Sequence, residues 1–218
     1  MKTKITIVAL LCAFNINASA GKVNGSLDVS HTSDYYFRGA ELGADSIQAS
    51  VGANAAVGGL DVFGNYFTNQ TTGDNTANTD VVTVGVGKSF ADGLLSLYGG
   101  VVNLDNDASG DTLDGFVSAK LDTVLSPSVT VYRNTDAALY TVEGSVSYTI
   151  ESEIANLRLS VEAGTTDVTS ATTRDYAGAT AKLSRTFGAV TPHLCLSVVD
   201  ADDSARDTIV KAGLTFKF

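Results

Sequence analysis

The sequence predicts an all-β fold: a transmembrane, antiparallel, up-and-down β-barrel of about twelve strands. Three observations predict it. The chain is written almost throughout in short stretches where apolar and polar residues alternate, the period of a strand with two unlike faces. Its first twenty residues have the build of an export signal. Its last strand, D-T-I-V-K-A-G-L-T-F-K-F, sets Val210, Ala212, Leu214, Phe216 and Phe218 against Lys211, Gly213, Thr215 and Lys217, and ends on an aromatic. A terminal ring is out of place in water and at home in the aromatic belt of a membrane barrel. The 21 glycines and only two prolines suit long paired strands joined by tight turns.

At the N-terminus, Lys2 and Lys4 precede an apolar run over 5–14, and Ala18-Ser19-Ala20 offers a small-x-small cleavage site. The run is too short to span a bilayer, so 1–20 reads as a secretory signal and 21–218 as the barrel. Cys12 follows the bulky Leu11, which argues against a lipoprotein cysteine and for one discarded with the signal. The mature chain then keeps only Cys195 and has no internal disulfide. Losing Lys2 and Lys4 takes the formal net charge from −10 to −12, which excludes charge-driven binding to nucleic acid or to an anionic surface. No later apolar run reaches the length of a transmembrane helix, and a barrel needs none.

Taken in order, strand one starts near Ser26, with Leu27 and Val29 opposite Asp28 and Ser30, and continues to Arg38. A loop is expected over 39–45. Strand two places Ile47, Ala49, Val51, Ala53, Ala55 and Val57 on one face, and Gly58-Gly59 is a hairpin signal. Strand three, 60–69, leaves its facing open, because Phe63 and Phe67 compete with Val62 and Tyr66. After a polar loop over 70–79, strand four sets Val82, Val84 and Val86 against Thr83, Gly85 and Gly87. Strand five carries Leu95, Leu97, Gly99 and Val101 on one side. Strand six alternates Leu113, Val117, Ala119 and Leu121 with Asp114, Ser118, Lys120 and Asp122. Strand seven is 129–134. Strand eight is the clearest, Tyr140, Val142, Gly144, Val146, Tyr148 and Ile150 against Thr141, Glu143, Ser145, Ser147 and Thr149. Strand nine opposes Leu157, Leu159, Val161 and Ala163 to Arg158, Ser160 and Glu162; strand ten opposes Ala177, Ala179, Ala181 and Leu183 to Thr180, Lys182 and Ser184. Strand eleven has Leu194, Leu196 and Val198 opposite His193, Cys195 and Ser197, and strand twelve ends the chain.

Connections after even strands read as mostly tight, and those after odd strands as mostly longer, acidic and rich in Thr, Ser and Asn. Short periplasmic turns and longer outer loops are the habit of outer-membrane barrels. In a soluble barrel the apolar face points inward; in a membrane barrel it points outward and the polar face lines the lumen. The signal, the terminal Phe218 and aromatics near strand ends (Tyr66, Phe90, Tyr140, Tyr148, Phe187, Phe216) favour the membrane. The inward face then carries Asp28, Asp34, Arg38, Asp114, Lys120, Asp122, Glu143, Arg158, Glu162, Lys182 and Lys211. These charges of both signs are expected either to line a narrow water-filled path or to pair across the lumen and partly plug it.

Two resemblances add to this. The stretch through Leu214, Phe216 and Phe218 resembles the C-terminal signal of Gram-negative outer-membrane barrels, which implies recognition of the last strand by the barrel-assembly machinery. Thr32-Ser33-Asp34-Tyr35-Tyr36-Phe37-Arg38-Gly39 resembles the early signature of the TorF-type family of proteobacterial porins, with 47–51 and 61–66 where that family places its next two strands. The family implies an outer-membrane barrel acting as a pore, although tryptophans expected in the third strand are absent here. Arg38 is the informative residue of the signature. It is expected either to pair with a lumen carboxylate such as Asp34 or Glu143, or simply to belong to an aromatic anchor of strand one at the outer interface.

Chemistry beyond passage finds little support. His31 and His193 lie on strands that do not bring them together, so no nucleophile and base meet and an enzyme is not expected. Asp105, Asp107, Ser109 and Asp111 resemble the first half of an EF-hand calcium loop, but the twelfth position is Phe116, so at most a weak surface site is expected and no metal or cofactor is required. With Asp200, Asp202 and Asp203 these acids would concentrate cations at the outer mouth. The sequence therefore reads as a narrow, cation-preferring outer-membrane channel for ions or small hydrophilic solutes, compatible with an oligomer. The alternative is a non-conducting barrel serving a structural, receptor or adhesin role.

Overall fold

The computed structural model describes residues 23–72, 77–107, 110–169, 171–202 and 204–218. Residues 1–20, where a signal was expected, and Ser109 and Asp203 lie outside the described residues. Twelve strands follow one another: β1 (Asn24–Phe37), β2 (Ala40–Val57), β3 (Leu60–Thr71), β4 (Thr79–Phe90), β5 (Leu95–Asn106), β6 (Gly110–Leu121), β7 (Ser128–Asn134), β8 (Tyr140–Ile150), β9 (Asn156–Thr169), β10 (Thr172–Ser184), β11 (Val190–Ala201) and β12 (Ser204–Lys217). Each pairs antiparallel with its neighbours in sequence, and β1 closes the barrel on β12. Closure is what lipid demands, since every strand then has a partner on both sides and no edge is left to desolvate. The seam is in register over Ser26↔Lys217, Leu27↔Phe216 and Val29↔Leu214, and Phe218 exchanges both backbone hydrogen bonds with Gly25 at 2.8 and 3.0 Å.

The outward face is apolar. Val84, Val86, Leu97, Val101, Val117, Val129, Val131, Val142, Val146, Leu159, Val161, Leu194, Leu196, Val210 and Leu214 all stand exposed on it. In water such a continuous girdle would drive aggregation; against acyl chains it is the required surface. Aromatics flank it: Tyr140 at one end, and Phe90, Tyr148, Phe187 and Phe218 toward the end that carries the chain terminus. Lys88 lies 5.5 Å from the Phe90 ring centroid and Arg185 lies 5.0 Å from that of Phe187, an amphipathic pairing suited to a membrane interface.

Two expectations about connections are corrected. Residues 39–45 are not a loop: β2 begins at Ala40, directly after a two-residue turn. The connections after β9 and β11 are likewise only two residues long, no longer than those at the opposite end. Thr- and Asp-rich segments expected as loops extend the hydrogen-bonded ladder instead. Polarity reported their solvent exposure, whereas their backbone is best satisfied by continued pairing.

Candidate functional site

The lumen is organised by the hairpin that joins β1 and β2. Pairing of β1 to β12 ends at Thr32↔Lys211, and pairing of β2 to β3 begins only at Ser46↔Thr71. Between these points β1 and β2 pair with each other alone, through Asp34↔Ala44 and Tyr35↔Gly43 to Phe37↔Ala40. The ribbon over 33–45 has left the wall. It bends where the register shifts between Tyr35 and Tyr36 and where Asp45 takes φ 48°. Hydrogen bonds hold both hinges: Thr72 N donates to Asp45 O at 3.0 Å, and Val210 N donates to Ser33 Oγ at 3.1 Å.

The ribbon folds inward and its tip crosses the lumen. Arg38 (φ 51°) and Gly39 (φ 75°) form the tight turn, both in the left-handed region favoured in two-residue hairpins. Arg38 Nη1 donates to the Asp114 carboxylate of β6, with both side chains nearly buried. The guanidinium lies 3.9 Å from the Tyr132 ring centroid of β7 and 4.7 Å from that of Phe37. Gly39 sits on Tyr176 of β10; a Cβ on Gly39 would come within 2.8–2.9 Å of Tyr176 Cβ, Cγ and Cδ1. Tyr176 in turn lies across Gly164 of β9 and donates its hydroxyl to Glu143 Oε1 on β8 at 2.5 Å. Phe37 and Leu42 of the ribbon pack on Val81, Val102 and Leu104 of the wall. Wall residues beside the ribbon, Ser46, Asn69 and Thr79, are completely buried, whereas an open water path would leave wall side chains wet.

The two sides of the lumen differ in chemistry. From β3 to β7 it is lined by rings. Phe63 lies over Gly85, Tyr98 over Gly87 and Phe116 over Gly100, each glycine giving a neighbouring strand's ring room to lie flat. Centroid separations are 6.0 Å for Phe63–Tyr98, 6.5 Å for Phe63–Phe116 and 6.0 Å for Phe116–Tyr132, within the range of favourable ring contacts. Phe63 and Phe67 thus face inward, which answers the open facing of strand three. A cavity of about 320 Å³ lies against this wall under the tip, and a second of about 190 Å³ lies on the other side of Arg38 and Tyr132. Arg38 and Tyr132 line both and partition them.

From β8 round to β2 the lining is polar and carries both signs. Asp28 accepts from Thr215 Oγ1 at 2.6 Å and lies 3.7 Å from His193 Nδ1. Lys211 Nζ donates to Gln48 Oε1 at 2.8 Å, reaching across β1. Arg158 Nη2 donates to Ser147 Oγ at 3.0 Å. Glu162 Oε1 lies beside Gly178, and Lys182 stands between Arg158 and Cys195 in the strand register. Lys120 lies at the terminal-end mouth of β6, and Asp122 lies beyond β6 in the following turn. Asp34 sits on the inward-bent ribbon, and the carboxylate that Arg38 engages is Asp114 rather than Asp34 or Glu143. Leu214 and Phe218 stand exposed on the outward side of the closing strand, and Phe216 alternates with them there. What sequence reasoning missed is the inward set Phe63, Tyr98, Phe116, Tyr132 and Tyr176. The available signal was glycine on the neighbouring strands, Gly85, Gly87, Gly100 and Gly164.

His31 faces outward and bonds Asp45 at 2.8 Å, whereas His193 is buried in the lumen, so the two do not meet. Asp105 and Asp111 stand directly opposite in the β5–β6 hairpin, and Asp80 is the partner of Asp105 on its other side. Among the described residues no group of three His, Cys, Asp or Glu is placed to hold a metal ion.

No family model matches the chain. No curated protein matches it either. Solved structures do. A KdgM porin superposes with TM-score 0.60 at 15% identity, covering 88% of this chain and 99% of that one. The COG4313 outer membrane channel from Pseudomonas putida F1 superposes with TM-score 0.56 at 10% identity, covering 92% and 97%. The NanC porin superposes with TM-score 0.56 at 11% identity, covering 88% and 100%. At these identities the likeness is one of fold, and the fold is that of outer-membrane porins and channels.

Proposed function

We propose that the chain is an outer-membrane channel of the TorF-type porin kind, exported by residues 1–20, that passes ions and small hydrophilic solutes along a narrow, cation-preferring path. The carrying observation is the inward-folded ribbon over 33–45, whose tip reaches from β1 to Asp114 on β6 and Tyr176 on β10. A twelve-strand barrel has an intermediate bore, and a two-stranded ribbon laid across it narrows that bore further. Solved porins of like fold support the reading, one of them determined in complex with disordered oligogalacturonate.

Selectivity arises at the rim. Charges of both signs roughly balance in the lumen, while Asp80, Asp105, Asp111, Asp167, Asp175 and Asp200 lie toward the strand ends opposite the termini. Carboxylates on the outer side of the rim raise the local cation concentration around the mouth. The closing strand addresses the barrel-assembly machinery through Leu214, Phe216 and Phe218.

The test is single-channel recording of the refolded 21–218 chain in a planar bilayer under a salt gradient. Small discrete steps whose reversal potential reports cation preference are expected. A silent bilayer, with folding verified by heat-modifiable gel mobility, would overturn the channel in favour of a plugged barrel; anion preference would overturn the selectivity alone.

A further inference from the structure

The ring-lined cavity under the ribbon tip has no role in carrying hydrated ions, because its walls offer them little. We infer that it is a binding site for a small uncharged aromatic solute that carries one hydrogen-bond acceptor, of the aryl amide or aryl ketone class. Three observations carry the inference. First, size: the cavity measures about 320 Å³, and an apolar cavity of roughly 150 Å³ already holds benzene. A substituted single ring fits with room for its substituent. Second, surface: Phe63, Tyr98, Phe116 and Tyr132 touch one another at centroid separations near 6 Å and form a continuous aromatic wall, against which a further ring can pack edge-to-face. Val81 and Val102 close the remaining wall. Third, polarity: Ser118 and Thr130 satisfy each other at 2.9 Å, whereas Arg38 Nη2 is buried and has no hydrogen-bond partner among the described residues. Arg38 lines the cavity, so beside the hydroxyls of Thr83, Ser118 and Thr130 the site offers one strong, charged donor in a mostly apolar box.

Charge decides the rest of the ligand. Asp114 already matches the charge of Arg38, and Glu143 lies beyond Tyr176 on the same side of the tip. A carboxylate ligand would meet two carboxylates for one shared guanidinium, and a cation would meet the guanidinium itself. A neutral acceptor meets neither penalty.

The experiment uses 4-fluorobenzamide and fluorine NMR on the refolded chain in detergent micelles, with protein-free micelles as the partition baseline. It needs no current, so a silent bilayer does not bear on it and its failure does not bear on conduction. Saturable binding is expected. Arg38→Met, which keeps the stem and removes the donor, is expected to weaken it roughly tenfold or more. Ser118→Phe, which fills the cavity, is expected to abolish it, and Thr130→Leu to weaken it if Ser118→Phe does not fold. 4-Fluorobenzoate is expected to bind more weakly than the amide. Three results would each overturn the assignment: no saturable binding to folded protein, binding indifferent to the cavity-filling variants, or tighter binding of the benzoate.

Discussion

Replacing Gly39 by alanine tests the inward-folded ribbon with the least chemistry. Gly39 has φ 75°, and the added Cβ would come within 2.8 Å of Tyr176 Cβ and 2.9 Å of Cγ and Cδ1. These are atoms near the Tyr176 backbone, not the free end of a flexible chain, and the ring is itself wedged against Gly164. The left-handed backbone costs an L-residue about 1–2 kcal/mol. The overlap adds about 1–3 kcal/mol, the usual cost of overpacking. The turn strain is common to the docked and undocked hairpin, so about 1–3 kcal/mol is set against docking of the tip. At about 1.4 kcal/mol per factor of ten, the docked-to-undocked ratio falls by roughly five- to a hundredfold. The strand ladder should survive, because residues 33–45 pair with no wall strand. Single-channel conductance should therefore rise while heat-modifiable mobility is unchanged. Gly58→Ala is the control: φ is 60°, nothing stands within 4 Å of its Cβ, and conductance should not change. A folded Gly39→Ala protein that conducts like the parent would refute the ribbon as the constriction.

Other outcomes follow from the same geometry. Asp114→Ala leaves Arg38 buried and uncompensated, which costs about 3–5 kcal/mol where a buried pair is broken from one side; conductance should rise, and Arg38→Met combined with Asp114→Leu should restore much of the parent value in a double-mutant cycle. Phe218→Ser removes an outward ring that lies over Gly25 at the closing seam, and the yield of heat-modifiable barrel in outer membranes should fall. Asp80→Asn, Asp105→Asn and Asp111→Asn together neutralise three adjacent rim carboxylates, so the reversal potential should move toward zero without a change in fold. N-terminal sequencing of the exported protein should begin at Gly21, and recovery of a chain still starting at Met1 would refute the signal assignment.

The strand order, the outward apolar face and the closing strand were legible because each follows from a period of two in the chain. Val82, Val84 and Val86 could only be a face, and lipid explains why that face is outside. The ribbon was not legible, because Tyr35-Tyr36-Phe37 interrupt the alternation and 39–45 reads as a loop, so no period says that the two halves pair with each other away from the wall. Departure is set by two local events, the register shift at Tyr35 and Tyr36 and the left-handed Asp45, and neither has a pattern of its own. The inward rings were hidden for a different reason. Aromatics in a membrane barrel are expected at the interfaces, where Phe90, Tyr140, Tyr148 and Phe187 stand. Phe63, Tyr98, Phe116 and Tyr132 follow the same alternation on the opposite phase, and each resembles an ordinary apolar residue in a polar row. Arg38 was legible as a residue in need of a carboxylate, but not as the partner of Asp114, seventy-six positions away.

The ribbon and the asymmetric lining are consequences of one another. A two-stranded ribbon in a water-filled bore would expose Phe37 and Leu42 and gain nothing to offset its bending. Here the β3–β5 wall supplies Val81, Val102 and Leu104 to cover them. The same contacts would fail on the β8–β12 wall, where Lys182, His193, Cys195 and Lys211 are set among serines and threonines. The apolar wall therefore takes the apolar side chains of the ribbon, while Gly39 at the tip rests on Tyr176 of β10. Net charge is divided along the axis in a similar way. Ions entering meet the acidic rim first and then a lumen whose lysines and carboxylates lie near each other, so preference is set at entry rather than at the constriction. On this account Arg38→Ala should change conductance far more than reversal potential. The rim substitutions should do the reverse, and the two effects should combine without coupling.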